Sequence, residues 1–122
     1  EVFPESIYYM IKKYNSYSQI KKIYITENGA AFPDKLINGE IRDQERINYI
    51  RENLKQVLRA KNEGFNVEGY FVWTLTDNFE WAEGYHPRFG LIYVDFDTQQ
   101  RIVKSSGYWY ARFLNNFKQH CF

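Results

Sequence analysis

With 122 residues, a formal net charge of +1 and acids and bases intermixed along the chain, the sequence carries no basic stripe of the kind that nucleic-acid binding demands. It has no apolar run long enough to span a membrane as a helix. Its one cysteine, Cys121, excludes an internal disulfide and favours a reducing, cytoplasmic compartment.

In chain order, Pro4 opens a first helix whose Ile7, Met10, Ile11 and Tyr14 form a short apolar stripe. Ile23, Tyr24 and Ile25 then read as a strand, closed by Thr26, Glu27 and an Asn28-Gly29 turn in which Gly, or less easily Asn, takes positive φ. A second helix follows. Asp43 is its N-cap, Glu45 lies in the first turn where the macrodipole favours an anion, and Gly64 follows the last turn as C′. Ile47, Ile50, Leu54, Val57 and Leu58 line one face of it at three- and four-residue steps.

Val67 to Trp81 is a second strand and its sequel. Tyr70, Phe71, Val72 and Trp73 are β-prone with apolar groups on both faces, as in a barrel strand covered on both sides. Strand, helix and strand make a parallel pair through a right-handed crossover, so that Glu27 and Glu80, following the two strands, share one rim. Arg88 to Asp97 and Arg101 to Lys104 read as a hairpin turning at Asp97-Thr98-Gln99-Gln100. Ser106 to Phe117 reads as a closing helix, with Tyr108, Trp109, Ala111, Arg112, Phe113 and Leu114 on its buried side, before a frayed end.

Two parallel strands leave open edges and enclose no core, and a (βα)8 barrel needs about 250 residues. The chain begins inside a helix-turn pattern without Met or signal peptide. The expected architecture is α/β: the C-terminal quarter of a larger (βα)8 TIM barrel with an added β-hairpin and closing helix, residues 1–122 forming part of one catalytic domain with no separate domains.

Past Leu75, hydrogen-bonding Asp77, Asn78 and Glu80 are interleaved with Phe79 and Trp81. Sugars need that mixture, carboxylates for hydroxyl groups and flat apolar surfaces for the C–H faces of the ring. An aromatic share of 20% suits such a cleft and equally suits plain packing. His86 and His120 lack partners at metal-ligand spacing, so neither a metal nor another cofactor is expected. Glu27 alone proves little, because charged residues at strand ends are more often solvated rims or loop anchors than catalytic groups.

Ile25-Thr26-Glu27-Asn28-Gly29, paired with Trp73-Thr74-Leu75-Thr76-Asp77-Asn78-Phe79-Glu80-Trp81 and then Gly84-Tyr85, Arg88-Phe89-Gly90-Leu91 and Tyr93-Val94-Asp95, resembles glycoside hydrolase family 1 in its β-glucosidase branch. The resemblance covers nearly the whole chain and implies the seventh and eighth βα units of the barrel. It implies that Glu27 is the catalytic nucleophile, forming a covalent glycosyl-enzyme. Glu80 would accept hydrogen bonds from O4 and O6 of the nonreducing sugar, Trp81 would reach the O3 region, Trp73 would be the platform beneath the ring, and Phe89 a lesser wall. Asn28 and Asp77 would support turn and loop.

A nucleophilic carboxylate must be held rigidly near the anomeric carbon, and a barrel strand end supplies that. Retaining chemistry also needs a second carboxyl about 5 to 5.5 Å away. The family carries it in an Asn-Glu-Pro motif that is absent here, and Glu83, the nearest acid, is no convincing substitute. The expected partners are therefore a small β-glucoside or oligosaccharide and the rest of the barrel, without which the chain should be inactive. Members acting on 6-phosphorylated sugars replace Asn-Phe-Glu-Trp by a Ser/Lys/Tyr pocket, so Glu80 points to an unphosphorylated sugar, with glucose, galactose and fucose left unseparated. A noncatalytic sugar-binding module and an inactive structural barrel fragment stay open as alternatives.

Overall fold

A computed structural model describes residues 2–120. They form two compact units, one of residues up to 28 with 48–72, the other of residues 29–47 with 73 onward. Cys121, on which the expected compartment rests, and the expected fraying at Phe122 lie outside the described residues. Among the described residues no helix is long and apolar enough to cross a membrane.

The first unit is built on a parallel pair, β1 (Ile23–Asn28) and β4 (Val67–Val72). Helix α1 (Glu5–Asn15) follows Pro4, whose φ of −58° is already helical. Its buried stripe is centred on Tyr8 and Ile11. Met10 and Tyr14, expected on that stripe, are exposed: a helix advances about 100° per residue, which carries both past the stripe's edge. Tyr8, Ile11, Val57, Ala60 and Val67 make the core, with Ile23, Ile25, Phe65 and Tyr70 packed against it. Arg59 lies over the Tyr8 ring, 3.9 Å from its centroid, and bonds Glu63, which also accepts the Tyr8 hydroxyl at 2.6 Å.

Helix α2 (Gln44–Asn62) buries Ile47, Ile50, Leu54 and Val57 as its spacing predicts, with Leu58 half-buried. Gly64 adopts φ 89°; its N–H meets the Lys61 carbonyl at 3.0 Å and the Phe65 N–H meets that of Ala60 at 3.1 Å. These two bonds are a Schellman end, which favours glycine at this position. At the other end, the Asp43 carbonyl receives the N–H groups of Arg46 and Ile47, so Asp43 holds the cap position. Its carboxylate, however, goes to Arg46 and to Ser106 rather than to the helix N–H groups.

The second unit contains two hairpins and a helix. β2 (Leu36–Ile37) and β3 (Glu40–Ile41) pair antiparallel across Asn38 (φ 51°) and Gly39 (φ 79°), a type I′ turn that the sequence reading overlooks. β5 (Ile92–Val94) and β6 (Arg101–Val103) form the expected hairpin with shorter strands: 88–91 and 95–97, expected in the first segment, and Lys104, expected in the second, lie outside them. The Asp95 carboxylate caps its turn by accepting the N–H groups of Thr98 and Asp97, and the Thr98 bond leads in holding its pKa below the usual value. In α3 (Ser105–His120), only Trp109 and Phe113 of the six expected buried residues are half-buried; Tyr108, Ala111, Arg112 and Leu114 are exposed. Six residues within a seven-residue span point all around a helix and cannot share one face.

The positive-φ turn expected at Asn28-Gly29 is also corrected. Asn28 is the last residue of β1, and neither residue has positive φ. Gly29 answers instead to space, since a Cβ there would lie 1.8 Å from the Trp73 carbonyl oxygen.

Candidate active site

Glu27 is the penultimate residue of β1, within the strand rather than after it, and its side chain is exposed. Ile25 faces Tyr70 and Asn28 faces Val72, so three steps along β1 match two along β4, and Glu27 sits in that irregularity. An extra strand residue of this kind re-aims its side chain out of the regular pleat. Asn28 beside it is clamped: its Oδ1 accepts the Tyr70 hydroxyl at 2.7 Å and its Nδ2 donates to the Tyr49 hydroxyl at 3.4 Å. The backbone carrying Glu27 is therefore fixed by ladder pairing on one side and by the hydrogen-bonded, half-buried amide of the next residue.

Trp73, Glu80, Trp81 and Phe89 all belong to the second unit. The peptide between Trp73 and Thr74 is cis. From Thr74 to Asp77 the chain runs beside Phe89 to Ile92: Thr74 N–H meets the Phe89 carbonyl at 3.3 Å, Leu91 N–H that of Thr74 at 2.9 Å, and Asp77 N–H that of Ile92 at 3.0 Å. Between these segments lies a loop whose tip is a 3-10 turn, Trp81–Glu83, closed by Glu80 N–H to the Gly84 carbonyl at 2.7 Å.

On that tip the two proposed sugar contacts differ. Trp81 is 85% exposed and adopts φ 48°, which a bulky residue takes only when its surroundings hold it there. Glu80 is half-buried and its Oε1 is fully buried without a hydrogen-bond partner. An unpaired buried carboxylate oxygen is costly and marks a place where a donor is wanted. Exposed Tyr85 packs its ring 5.3 Å from that of Phe79 and 4.4 Å from that of Phe96. Glu83 is exposed on the same short turn.

Behind the loop, six ionised side chains alternate in sign: Asp43, Arg46, Asp34, Lys104, Asp77 and Arg88, each pairing with the next. Arg46 meets both Asp34 oxygens at 2.9 Å and donates to the Arg88 carbonyl at 2.6 Å. Burial works against its charge, yet the bonds to Asp34 and then Asp43 outweigh it and hold its pKa above the ordinary value. Asp77 was expected as a loop support, and its buried carboxylate accepts from Lys104, Arg88 and the Gly90 N–H. Sequence reading missed Asp34, Arg46 and Lys104, whose partners lie up to seventy residues away.

The first unit thus offers an exposed carboxylate on a strand, and the second a loop carrying a carboxylate among aromatics, groups that can hydrogen-bond and stack on a sugar. The chain belongs to glycosyl hydrolase family 1, whose family model matches residues 1–119. It is 51% identical over 117 residues to β-glucosidase A of Thermotoga maritima, covering 95% of this chain and 26% of that protein. It is 47% identical over 112 residues to a 6-phospho-β-galactosidase of Clostridium acetobutylicum, covering 91% of this chain and 24% of that protein. Against the solved structure of the family 1 β-glucosidase from Thermotoga maritima in complex with isofagomine lactam, the TM-score is 0.93 at 51% identity, over 95% of this chain and 27% of that one. The chain thus spans about a quarter of the length of these relatives and carries the corresponding part of their fold.

Proposed function

We propose that this chain is the nucleophile-bearing portion of a retaining β-glucosidase, the seventh and eighth βα units of a (βα)8 barrel. The full protein removes terminal unphosphorylated β-D-glucosyl residues, with galactosyl and fucosyl groups as neighbouring possibilities for O4 and C6. Glu27 attacks the anomeric carbon and forms the glycosyl-enzyme; a carboxylic acid from outside this chain protonates the leaving oxygen and then activates water. Trp73, Glu80, Trp81 and Phe89 hold the nonreducing sugar.

The observation that carries this reading is Glu27 itself, an exposed carboxylate in a strand irregularity beside a clamped asparagine, within a chain half identical to a β-glucosidase. A nucleophile must be rigid and accessible at once, and few surface glutamates are both. For the substrate, Glu80 supports an unphosphorylated sugar, because an anion with a buried unpaired oxygen repels a phosphate dianion. The 6-phospho-β-galactosidase relative makes that discrimination worth measuring directly.

Incubating the full-length protein with a 2-fluoro β-glucoside and mapping the labelled peptide tests the assignment. Label on Glu27 is the expected result; label on another residue, or steady turnover by a Glu27→Gln variant, would overturn it. An equal rate on 6-phosphoglucosides would remove the substrate reading while leaving the nucleophile in place.

A further inference from the structure

We infer that Lys104 is a positioning residue for sugar recognition: acting through Asp77, it fixes the loop that carries Glu80 and Trp81. The inference rests on the reading of Glu80 as the acceptor for the sugar's O4 and O6 hydroxyls, and it concerns a residue outside every motif that suggested that reading.

Asp77 stands three residues before Glu80, and its side chain is fully buried. It accepts from Lys104 Nζ at 2.8 Å, from Arg88 at 2.8 Å, and from the N–H groups of Gly90 at 2.9 Å and Val94 at 3.4 Å. Arg88 and Gly90 lie at the far end of the loop, so one carboxylate clips the loop's exit to its entry. The clip has no slack, because a Cβ on Gly90 would lie 2.3 Å from the Asp77 nitrogen.

Lys104 faces this carboxylate from behind with a fully buried ammonium group, and its other partner is Asp34. A point charge with three donors on a flexible stem suits this bridging task, as it can follow two carboxylates at once. Asp34 is in turn held by the two terminal Arg46 nitrogens, so Lys104 ties the loop clip to the framework of the unit.

The link from clip to recognition is Glu80. Its buried Oε1 has no hydrogen-bond partner, so no bond at that oxygen anchors the side chain, and the placement of the loop backbone determines where the accessible part of the Glu80 carboxylate meets a sugar hydroxyl. A shift of the loop by a fraction of an ångström would then weaken the O4 and O6 contacts and leave chemistry at the anomeric carbon less affected.

The test compares an aryl β-glucoside with its 6-deoxy and 4-deoxy analogues in the full-length enzyme. For Lys104→Met, the preference in kcat/KM for the glucoside over the deoxy sugars should shrink about tenfold, the size of a lost hydrogen bond to a charged group. Lys104→Arg should restore part of it. Equal losses on all three substrates would overturn the inference, since damage to the fold alone does not discriminate between hydroxyls. Should Lys104→Met fail to fold, Arg88→Gln removes a donor from the same carboxylate at a partly exposed position, and the same selective loss is expected. Glu80→Gln separates the two levels: an unchanged preference there would overturn the role of Glu80, whereas a changed preference with a non-selective Lys104→Met would overturn the role of Lys104 alone.

Discussion

The two units are held together by different physics. In the first, Tyr8, Ile11, Val57, Ala60 and Val67 exclude water around a parallel strand pair, and the carboxylate of interest projects from the end of one strand. In the second, a buried alternating chain of acids and bases joins loops, hairpin and helix. Hydrophobic burial is non-directional and suits an element whose geometry the hydrogen-bond ladder already fixes. Ion pairs are directional, and their loss on one side leaves an uncompensated charge. They suit irregular segments such as the Glu80 loop, where no ladder specifies the path.

This contrast can be broken in four ways. The largest expected effect is on activity without stability: Glu27→Gln in the full-length protein should lower kcat by roughly 10³-fold or more, with a nearly unchanged melting curve, because Gln keeps the size and shape of the Glu side chain. Asp77→Ala should do the reverse, destabilising by about 3–5 kcal/mol in denaturant titration as Lys104 and Arg88 lose a buried partner. An Asp77→Ala protein as stable as the parent would show that the ion chain is incidental. Ile11→Ala should cost about 2–4 kcal/mol through the cavity it opens, and it should leave the preference among deoxy sugars untouched, unlike changes in the second unit.

The smallest effect concerns acid. The Glu63 pKa is depressed chiefly by the Tyr8 hydroxyl, with Arg59 contributing. Because the folded value lies below the unfolded one, this carboxylate contributes stability that is present above the ordinary range of about 4 and lost as pH falls through the folded value. Tyr8→Phe should therefore make the acid limb of the stability profile slightly less steep below that range; an identical limb would remove the assignment.

Much of this fold was legible in the sequence because its signals are local. Gly64 announced the end of α2, the spacing of Ile47 to Val57 gave its face, and the apolar runs gave β1 and β4. The Asn38-Gly39 turn was equally local and was passed over, since only two residues on each side form strands. The buried face of α3 was missed although it has helical spacing: Ser106 is buried and Trp109, Tyr110 and Phe113 are half-buried, three, four and seven residues further on, but the nearly continuous apolar run 108–114 hides that stripe. In the site, Glu27 and Glu80 stood out by motif, whereas the buried state of the Glu80 oxygen and the bridging role of Lys104 depend on tertiary neighbours. Lys104 reads in sequence as an ordinary charge at the end of a strand; only folding shows that Asp34 and Asp77 receive it.

The alternating chain sums to zero, three carboxylates against three cations, and this has a consequence for ionic strength. Pairs on the surface of α2, such as Lys55 with Glu52 and Arg59 with Glu63, are roughly half exposed, and at about 1 M salt the screening length falls to ~3 Å, so their contribution fades. The buried chain carries no net charge to attract counterions and has little surface at which to meet them. Brine should thus loosen the helix exterior of the first unit while the framework behind the Glu80 loop keeps its shape.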